Sequence, residues 1–221
     1  MLKQHPLRLS LALALPIAMA LAGLWALTQL PDGARVPIHF DAAGQANGWA
    51  DARWGLFLVP LLTIFTAGTI LVLPLVDPRG DKLRQSWRAT LNILLAVEVL
   101  LAAVQAMIIL SALGQQPDVG RWMLLMVGGL FAVIGNMLGK VRWNYTVGIR
   151  TPWTLANERV WDKTHRFGGV VFVVAGLTLI AAALLAVPSD LGVPLLITTT
   201  IVCTVLCVGK SWLVWRAESA S

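Results

Sequence analysis

Apolar residues dominate this chain in six long runs, separated by short polar stretches that differ sharply from one another. The runs are Leu7–Leu30, Leu56–Val76, Leu91–Leu113, Trp122–Leu138, Val170–Val187 and Leu191–Leu213. At about 1.5 Å of rise per residue, runs of 17 to 24 residues match a hydrocarbon core of about 30 Å. No strand-like alternation interrupts them, and a backbone inside lipid must pair its own polar groups, so each predicts a helix. The first run has the basic flank and small-residue Ala18-Met19-Ala20 site of a signal peptide. It continues through Leu21–Leu27, which predicts an uncleaved membrane helix.

Composition agrees. The 221 residues are 57% hydrophobic and 13% charged, with mean hydropathy +0.76, about half the charge of a soluble domain. With six spans, the connecting regions alternate sides. One side collects Lys3 and Arg8, then Arg79, Lys82, Arg84 and Arg88, the six basic residues between Lys140 and Arg166, and Lys210 and Arg216. The other holds Arg35, Arg53 and Arg121. Fourteen against three predicts both termini in the cytoplasm and the segment 31–55 outside. The net charge of +6 therefore reads as orientation and headgroup contact in the lipid bilayer, not as nucleic-acid binding. The expected fold class is an all-α membrane protein: a six-transmembrane-helix bundle with a small extracytoplasmic loop domain and a cytoplasmic amphipathic helix. Residues 1–76 would form an N-terminal two-helix unit, and 77–221 a four-helix unit.

Two polar regions carry the candidate chemistry. In the outer loop, Val36–Asp41 is strand-like and Ala42–Gly48 is turn-rich, predicting a hairpin or compact loop. His39 and Asp41 would share one side of an extended segment as a hydrogen-bonded pair, a recognition pair or an incomplete metal set. Gly44, Asn47 and Trp49 lie in the same outer loop. The second region, 135–166, holds six of the seventeen Lys and Arg and three of the ten Trp. Thr151 and Pro152 suit a helix start, Gly148 a turn, and Asn157 a second cap before Glu158. Val160, Trp161, Thr164 and His165 share a helical face, and Asp162 and Arg166 are spaced for an ion pair. That face could lie on the membrane surface, plug the underside of the bundle or simply enter the fifth span.

Inside the membrane, Glu98 is the single carboxylate in a segment interior, with Gln105 seven residues on along the same face. The pair is a functional candidate or a structural hydrogen-bonding patch. Gly128, Gly135 and Gly139, and Gly169 and Gly176, predict close helix packing, with a homodimer as the alternative. Cys203 and Cys207 read as small lipid- or core-facing residues. No metal or cofactor is expected.

Gly135-Asn136, Lys140, Asn144, the run Gly148-Ile149-Arg150-Thr151-Pro152-Trp153-Thr154-Leu155, then Val160-Trp161, Thr164-His165-Arg166 and Gly168 resemble the signature of the SdpI family of bacterial toxin-immunity membrane proteins. Leu30-Pro31-Asp32, Val36–Asp41 and Gly44 resemble the small domain of unknown function that precedes it in many members. The resemblance implies a non-enzymatic multi-pass protein of the bacterial inner membrane that confers immunity to a secreted antimicrobial peptide toxin. It also implies a signalling receptor that sequesters a transcriptional repressor at the membrane. On that reading His39, Asp41, Gly44, Asn47 and Trp49 meet the toxin outside. Asn136, Lys140, Asn144, Gly148, Arg150, Thr151, Pro152, Trp153, Trp161, Thr164, His165 and Arg166 hold the inner face or a partner. Two other readings stand beside it: a small proton- or ion-coupled transporter using Glu98 and Gln105, and a membrane enzyme using His165 or His39.

Overall fold

The computed structural model describes residues 5–41 and 44–219. Lys3, counted on the basic side, and Ala42-Ala43 of the predicted turn lie outside the described residues. Among the described residues six helices are long and apolar enough to cross a membrane. They are α1 (Pro6–Thr28), α2 (Ala52–Val76), α4 (Trp87–Ala112), α5 (Val119–Leu138), α7 (Glu158–Leu184) and α8 (Ser189–Ser219). Between α1 and α2 lies an antiparallel hairpin, β1 (Arg35–Phe40) and β2 (Ala46–Asp51). Two short helices, α3 (Gly80–Gln85) and α6 (Pro152–Ala156), lie at the opposite, basic end. The outward-facing surface of the bundle is rich in Leu, Ile, Val, Phe and Trp, as a lipid-facing surface requires.

The helices pack in two groups. Helices α1, α2 and α4 enclose Met19, Ala26, Leu56 and Ile108 near the hairpin, and Ala12, Ala67, Trp87, Leu91 and Leu94 toward the basic end. Val36 of β1 is fully buried in the first of these clusters, which seats the hairpin on the bundle. Asp51 turns the chain from β2 into α2 by accepting a hydrogen bond from the Arg53 amide (2.9 Å).

Pro60 explains one polar contact in this group. A helix-interior proline lacks the N–H that would bond the carbonyl four residues back, at a cost of about 3 kcal/mol in water. The carbonyl so released is that of Leu56, and the Gln105 side-chain amide donates to it from α4 at 2.8 Å. Gln105 is thus the neighbour that makes a broken helix ladder tolerable in the membrane.

The second group is α5, α7 and α8, with Leu124, Leu179, Ala182 and Ala183 at its centre. Helices α5 and α7 meet backbone to backbone, in antiparallel register, through Gly128 against Gly176 and Gly135 against Gly169. A Cβ on any of the four would stand 2.5 to 2.8 Å from the facing glycine's carbonyl oxygen. Gly139, the other half of the GxxxG, faces Arg166 at an ordinary 3.8 Å. The seven-residue spacing, not the four-residue one, therefore carries the close approach, and it does so within one chain. Cys203 and Cys207 are buried on α8.

Gly176→Val should lower stability by about 1–3 kcal/mol, because the added methyl groups have no space to enter. Gly68→Ala, on α2 where a Cβ meets nothing within 4 Å, should stay within about 0.5 kcal/mol of the parent. Reversible unfolding in mixed micelles measures both.

Candidate functional site

At the basic end, α5 closes with turn bonds from the Lys140 amide to Met137 (2.8 Å) and the Val141 amide to Leu138 (3.1 Å). The chain then runs without regular structure to Thr151. Irregular backbone must find other partners, and Asn144 supplies most of them. Its side chain, fully buried, accepts from the amides of Thr146 (2.8 Å) and Val147 (2.7 Å) and donates to the carbonyls of Arg142 (2.7 Å) and Val147 (3.0 Å). An asparagine has two donors and one acceptor oxygen with two lone pairs, so all its capacity is spent on its own loop.

The α2–α3 elbow clasps this loop from the side. Asp77 accepts from the Tyr145 amide (3.0 Å) and the Thr146 hydroxyl (2.8 Å), and from the Arg79 amide (2.7 Å). The Arg79 guanidinium lies 3.3 Å from the Trp143 ring centroid and 4.3 Å from that of Tyr145, a double cation–π contact. Trp143 in turn donates its indole N–H to the Thr154 carbonyl (2.9 Å). Asp77, Arg79 and Trp143 were not among the site residues expected from the sequence. The polar run Asp77-Pro78-Arg79-Gly80 directly after an apolar span was the visible signal of the first two.

Thr151 caps α6 with Pro152 in the first turn, and a reciprocal Thr151–Thr154 capping box satisfies both ends. Asn157 caps α7 through the amides of Arg159 (2.8 Å) and Val160 (3.3 Å), as its sequence position predicts. The expected amphipathic helix and fifth span are one continuous helix, α7, because no residue between Arg166 and Val170 breaks the ladder. Its inward face is Val160, Trp161, Thr164 and His165, all buried. Trp161 packs with Ala89, Met137 and Val141 under α4 and α5 and donates its indole N–H to the Val141 carbonyl (2.9 Å). The face therefore plugs the bundle and does not lie on the membrane surface.

His165 stacks on Trp161 with centroids 3.9 Å apart and planes at 20°. Its Nε2 receives the Ile149 amide N–H (2.9 Å), so Nε2 must be the lone-pair nitrogen. Nδ1 then carries the hydrogen and donates to the Trp161 carbonyl (2.9 Å). Both ring nitrogens are committed to backbone. Gly148, at φ +129°, lies across this pair, and a Cβ there would strike His165 Nε2 and the Trp161 ring. Both the backbone conformation and the space require glycine.

The twelve motif residues thus divide. Asn144, Thr151, Trp161, Thr164 and His165 are buried, and Gly148 is tied to them by close contact. Asn136, Lys140, Arg150, Pro152 and Arg166 are exposed, and Trp153 is half-buried beside Trp215 (centroids 6.4 Å apart). Helix α8 joins through Thr151 Oγ1 donating to Ser211 Oγ (3.0 Å) and through Glu218, which pairs with Lys163 and Arg159. Asp162 and Arg166 do not form the ion pair that their spacing permits; Lys163 and Arg159, on the neighbouring stripe, pair across to α8 instead.

At the other end, the hairpin register sets Pro37 opposite Trp49 and His39 opposite Gly48, with irregularities on either side of His39. His39 Nδ1 bonds Asn47 Oδ1 across the hairpin, and Asp41 accepts from the Gln45 amide (2.9 Å) to brace the turn. Gly44 packs against Val119 at the start of α5. A cavity of about 280 Å³ opens beneath the hairpin. His39, Asp41 and Gly44 form its polar lip, and Met107, Met123, Leu124 and Leu196 of α4, α5 and α8 belong to its apolar wall. Asn47 orients His39, and Trp49 stands half exposed outside the cavity.

Glu98 is fully buried on α4, and neither carboxylate oxygen has a hydrogen-bond partner among the described residues. Gln105 places its amide on Leu56, and its own carbonyl oxygen has no partner among the described residues.

Six membrane-length helices, a hairpin at one end and an internally bonded basic motif at the other define a multi-pass integral membrane protein. Comparison with known proteins gives the particular family region. Residues 140–211 match the model of the SdpI/YfhL protein family, and residues 14–64 match a domain of unknown function, DUF1648. The first match begins at Lys140 and takes in α6, α7 and most of α8; the second contains the hairpin. The Immunity protein SdpI of Bacillus subtilis (strain 168) is 30% identical over 121 residues, 55% of this chain and 56% of that protein. The match therefore spans about half the length of this relative. No solved structure matches. The family resemblance read from the GIRTPWTL, VW and THR runs is thus upheld.

Asn144→Ala should cost about 2–4 kcal/mol, since it leaves buried loop amides and carbonyls unpaired. Hydrogen exchange at the amides of Thr146 and Val147 should accelerate with it. Arg142→Gln, at an exposed neighbour in the same loop, should stay within about 0.5 kcal/mol.

Proposed function

We propose that this protein is a membrane immunity protein that protects its cell from a secreted antimicrobial peptide. The observation that carries the reading is the match to a curated immunity protein of the same family region. Lys and Arg are concentrated at the motif end, which supports placing that end in the cytoplasm and the hairpin outside. The hairpin unit, residues 1–76, then presents His39, Asp41, Gly44, Asn47 and Trp49 to an arriving peptide, with the cavity beneath them taking an apolar side chain. The unit 77–221 holds the inner face. Its buried motif residues keep α5, α7 and α8 in register, while Arg150, Trp153 and Arg166 are the groups left to touch an inner partner such as a repressor.

Expression in a toxin-sensitive strain tests this. The parent protein should raise the toxin concentration needed for killing. Met123→Trp, which fills the cavity, should lower that concentration about tenfold at equal protein level, the factor expected for losing about 1.4 kcal/mol of contact. Unchanged killing by the parent protein would refute immunity. Full protection by Met123→Trp would refute the cavity. Arg150→Ala should leave protection intact and abolish only recruitment of an inner partner.

A second reading rests on Glu98. A buried carboxylate without a partner is costly at membrane depth and marks ion or proton pathways in other membrane proteins. A small proton- or ion-coupled transporter would show flux in proteoliposomes, lost in Glu98→Gln. Absence of flux from the parent dismisses it.

A further inference from the structure

Two neighbouring cavities on the outside of α4 and α5 have complementary character. One, of about 510 Å³, is an apolar groove along the flank of the bundle, lined by Leu95, Val99 and Leu100 of α4 and by Met126, Leu130 and Val133 of α5, among others. The other, of about 310 Å³, lies at the basic end of the same flank, where α3 passes into α4, and is lined by Gln85, Ser86, Arg88, Ala89 and Lys140. Asn92 and Met137 line both. The Asn92 amide donates to Met137 Sδ (3.4 Å) where they meet, so the two adjoin across this contact, a polar mouth beside an apolar tail.

Charge at the mouth is positive and unneutralised. Arg88 is exposed and makes no hydrogen bond or ion pair among the described residues; Lys140 touches only Asn136 Oδ1, at 3.3 Å. Asn92, at the junction, accepts from Arg8 Nε (2.8 Å), which brings a third cationic side chain to the corner. Among the described residues no carboxylate lines either cavity. The first turn of α4, a 26-residue helix, also faces the mouth and adds the positive end of its dipole.

The tail has the depth of one leaflet. It follows α4 from Asn92 to Leu100 and α5 from Met137 back to Leu125. At about 1.5 Å per residue these stretches rise roughly 12 to 18 Å, against about 15 Å for half a hydrocarbon core. Gly129 also lines the groove. Unlike its neighbour Gly128, which is pressed against Gly176, Gly129 would place a Cβ within 4 Å of nothing. Helix packing does not require this glycine, and its lack of a side chain leaves the groove open.

We propose that this depression is a binding site for one anionic glycerophospholipid of the leaflet at the basic end, with its phosphate against Arg88 and Lys140 and an acyl chain along the α4–α5 groove. The site is separate from the hairpin cavity and does not depend on the immunity reading.

Native mass spectrometry of the detergent-solubilised full chain tests it, with added dioleoylphosphatidylglycerol or dioleoylphosphatidylcholine. The parent should bind the first about thirtyfold more tightly, the factor expected of two basic side chains at an anionic headgroup. Arg88→Gln with Lys140→Gln should abolish that preference. Arg150→Gln with Lys163→Gln, also exposed at the same end, should retain it. Gly129→Leu, whose Cβ meets nothing within 4 Å and whose side chain enters the groove, should reduce binding of both lipids while the circular dichroism and elution volume stay those of the parent. Retained preference in the Arg88/Lys140 variant, or equal loss in the Arg150/Lys163 variant, would overturn the headgroup site. Unchanged binding by Gly129→Leu would overturn the groove. Displacement of the lipid by inorganic phosphate alone would overturn the lipid as ligand and leave a free-anion site.

Discussion

Gly128 on Gly176 and Gly135 on Gly169 bring α5 and α7 into backbone contact, and the basic end of the protein is built on that contact. Only at this separation does the first turn of α7 pass close enough beneath α5 for Trp161 to reach the Val141 carbonyl and for His165 to meet the Ile149 amide. In a lipid bilayer the gain from such an approach is van der Waals contact along two bare backbones, since lipid offers apolar side chains no less than a neighbouring helix does.

Once the helices are so placed, twelve residues of irregular chain, Lys140–Thr151, have to be satisfied at their junction. Unpaired buried backbone groups would cost about 1–3 kcal/mol each, so the polar side chains here serve the backbone first. Asn144 closes its own loop, Asp77 holds it from α2, His165 receives it from α7, and the Thr151–Thr154 box ends it. The strong motif at this end is consequently a set of supports. What it leaves to solvent is a surface of arginines and lysines. The same logic operates on the other side of the molecule, where Pro60 releases the Leu56 carbonyl and Gln105 takes it. Glu98 has no such relation, and it stands apart as a polar group whose place in the bundle is not accounted for by packing.

Much of this was legible in the chain. The six helices follow from run length, and the caps at Thr151 and Asn157 from residue type and order. The shared face of Val160, Trp161, Thr164 and His165 follows from period alone, because side chains three and four apart on a helix necessarily align. The hairpin was legible from Val36–Asp41 and the turn residues after it. Partners across the hairpin were less so: His39 could be set beside Asp41 by alternation, but the register irregularities at His39 bring it to Asn47. Asp77 and Arg79 were missed because they act on a loop 64 or more residues further along, and nothing in their local sequence names that loop.

Class, helix count, charge asymmetry and the inward stripe of α7 are written in the chain, because they depend on local period and on the requirement that lipid imposes on every buried backbone group. Which glycines touch, that the plug faces α4 and α5, that Asn144, Trp161 and His165 of the motif are spent on backbone groups, and that Arg88 and Lys140 share a corner 52 residues apart all come from the tertiary arrangement. Those outcomes depend on how near two helices come and at what rotation. Both are set by the sum of many contacts between distant segments, and no single stretch of chain encodes them.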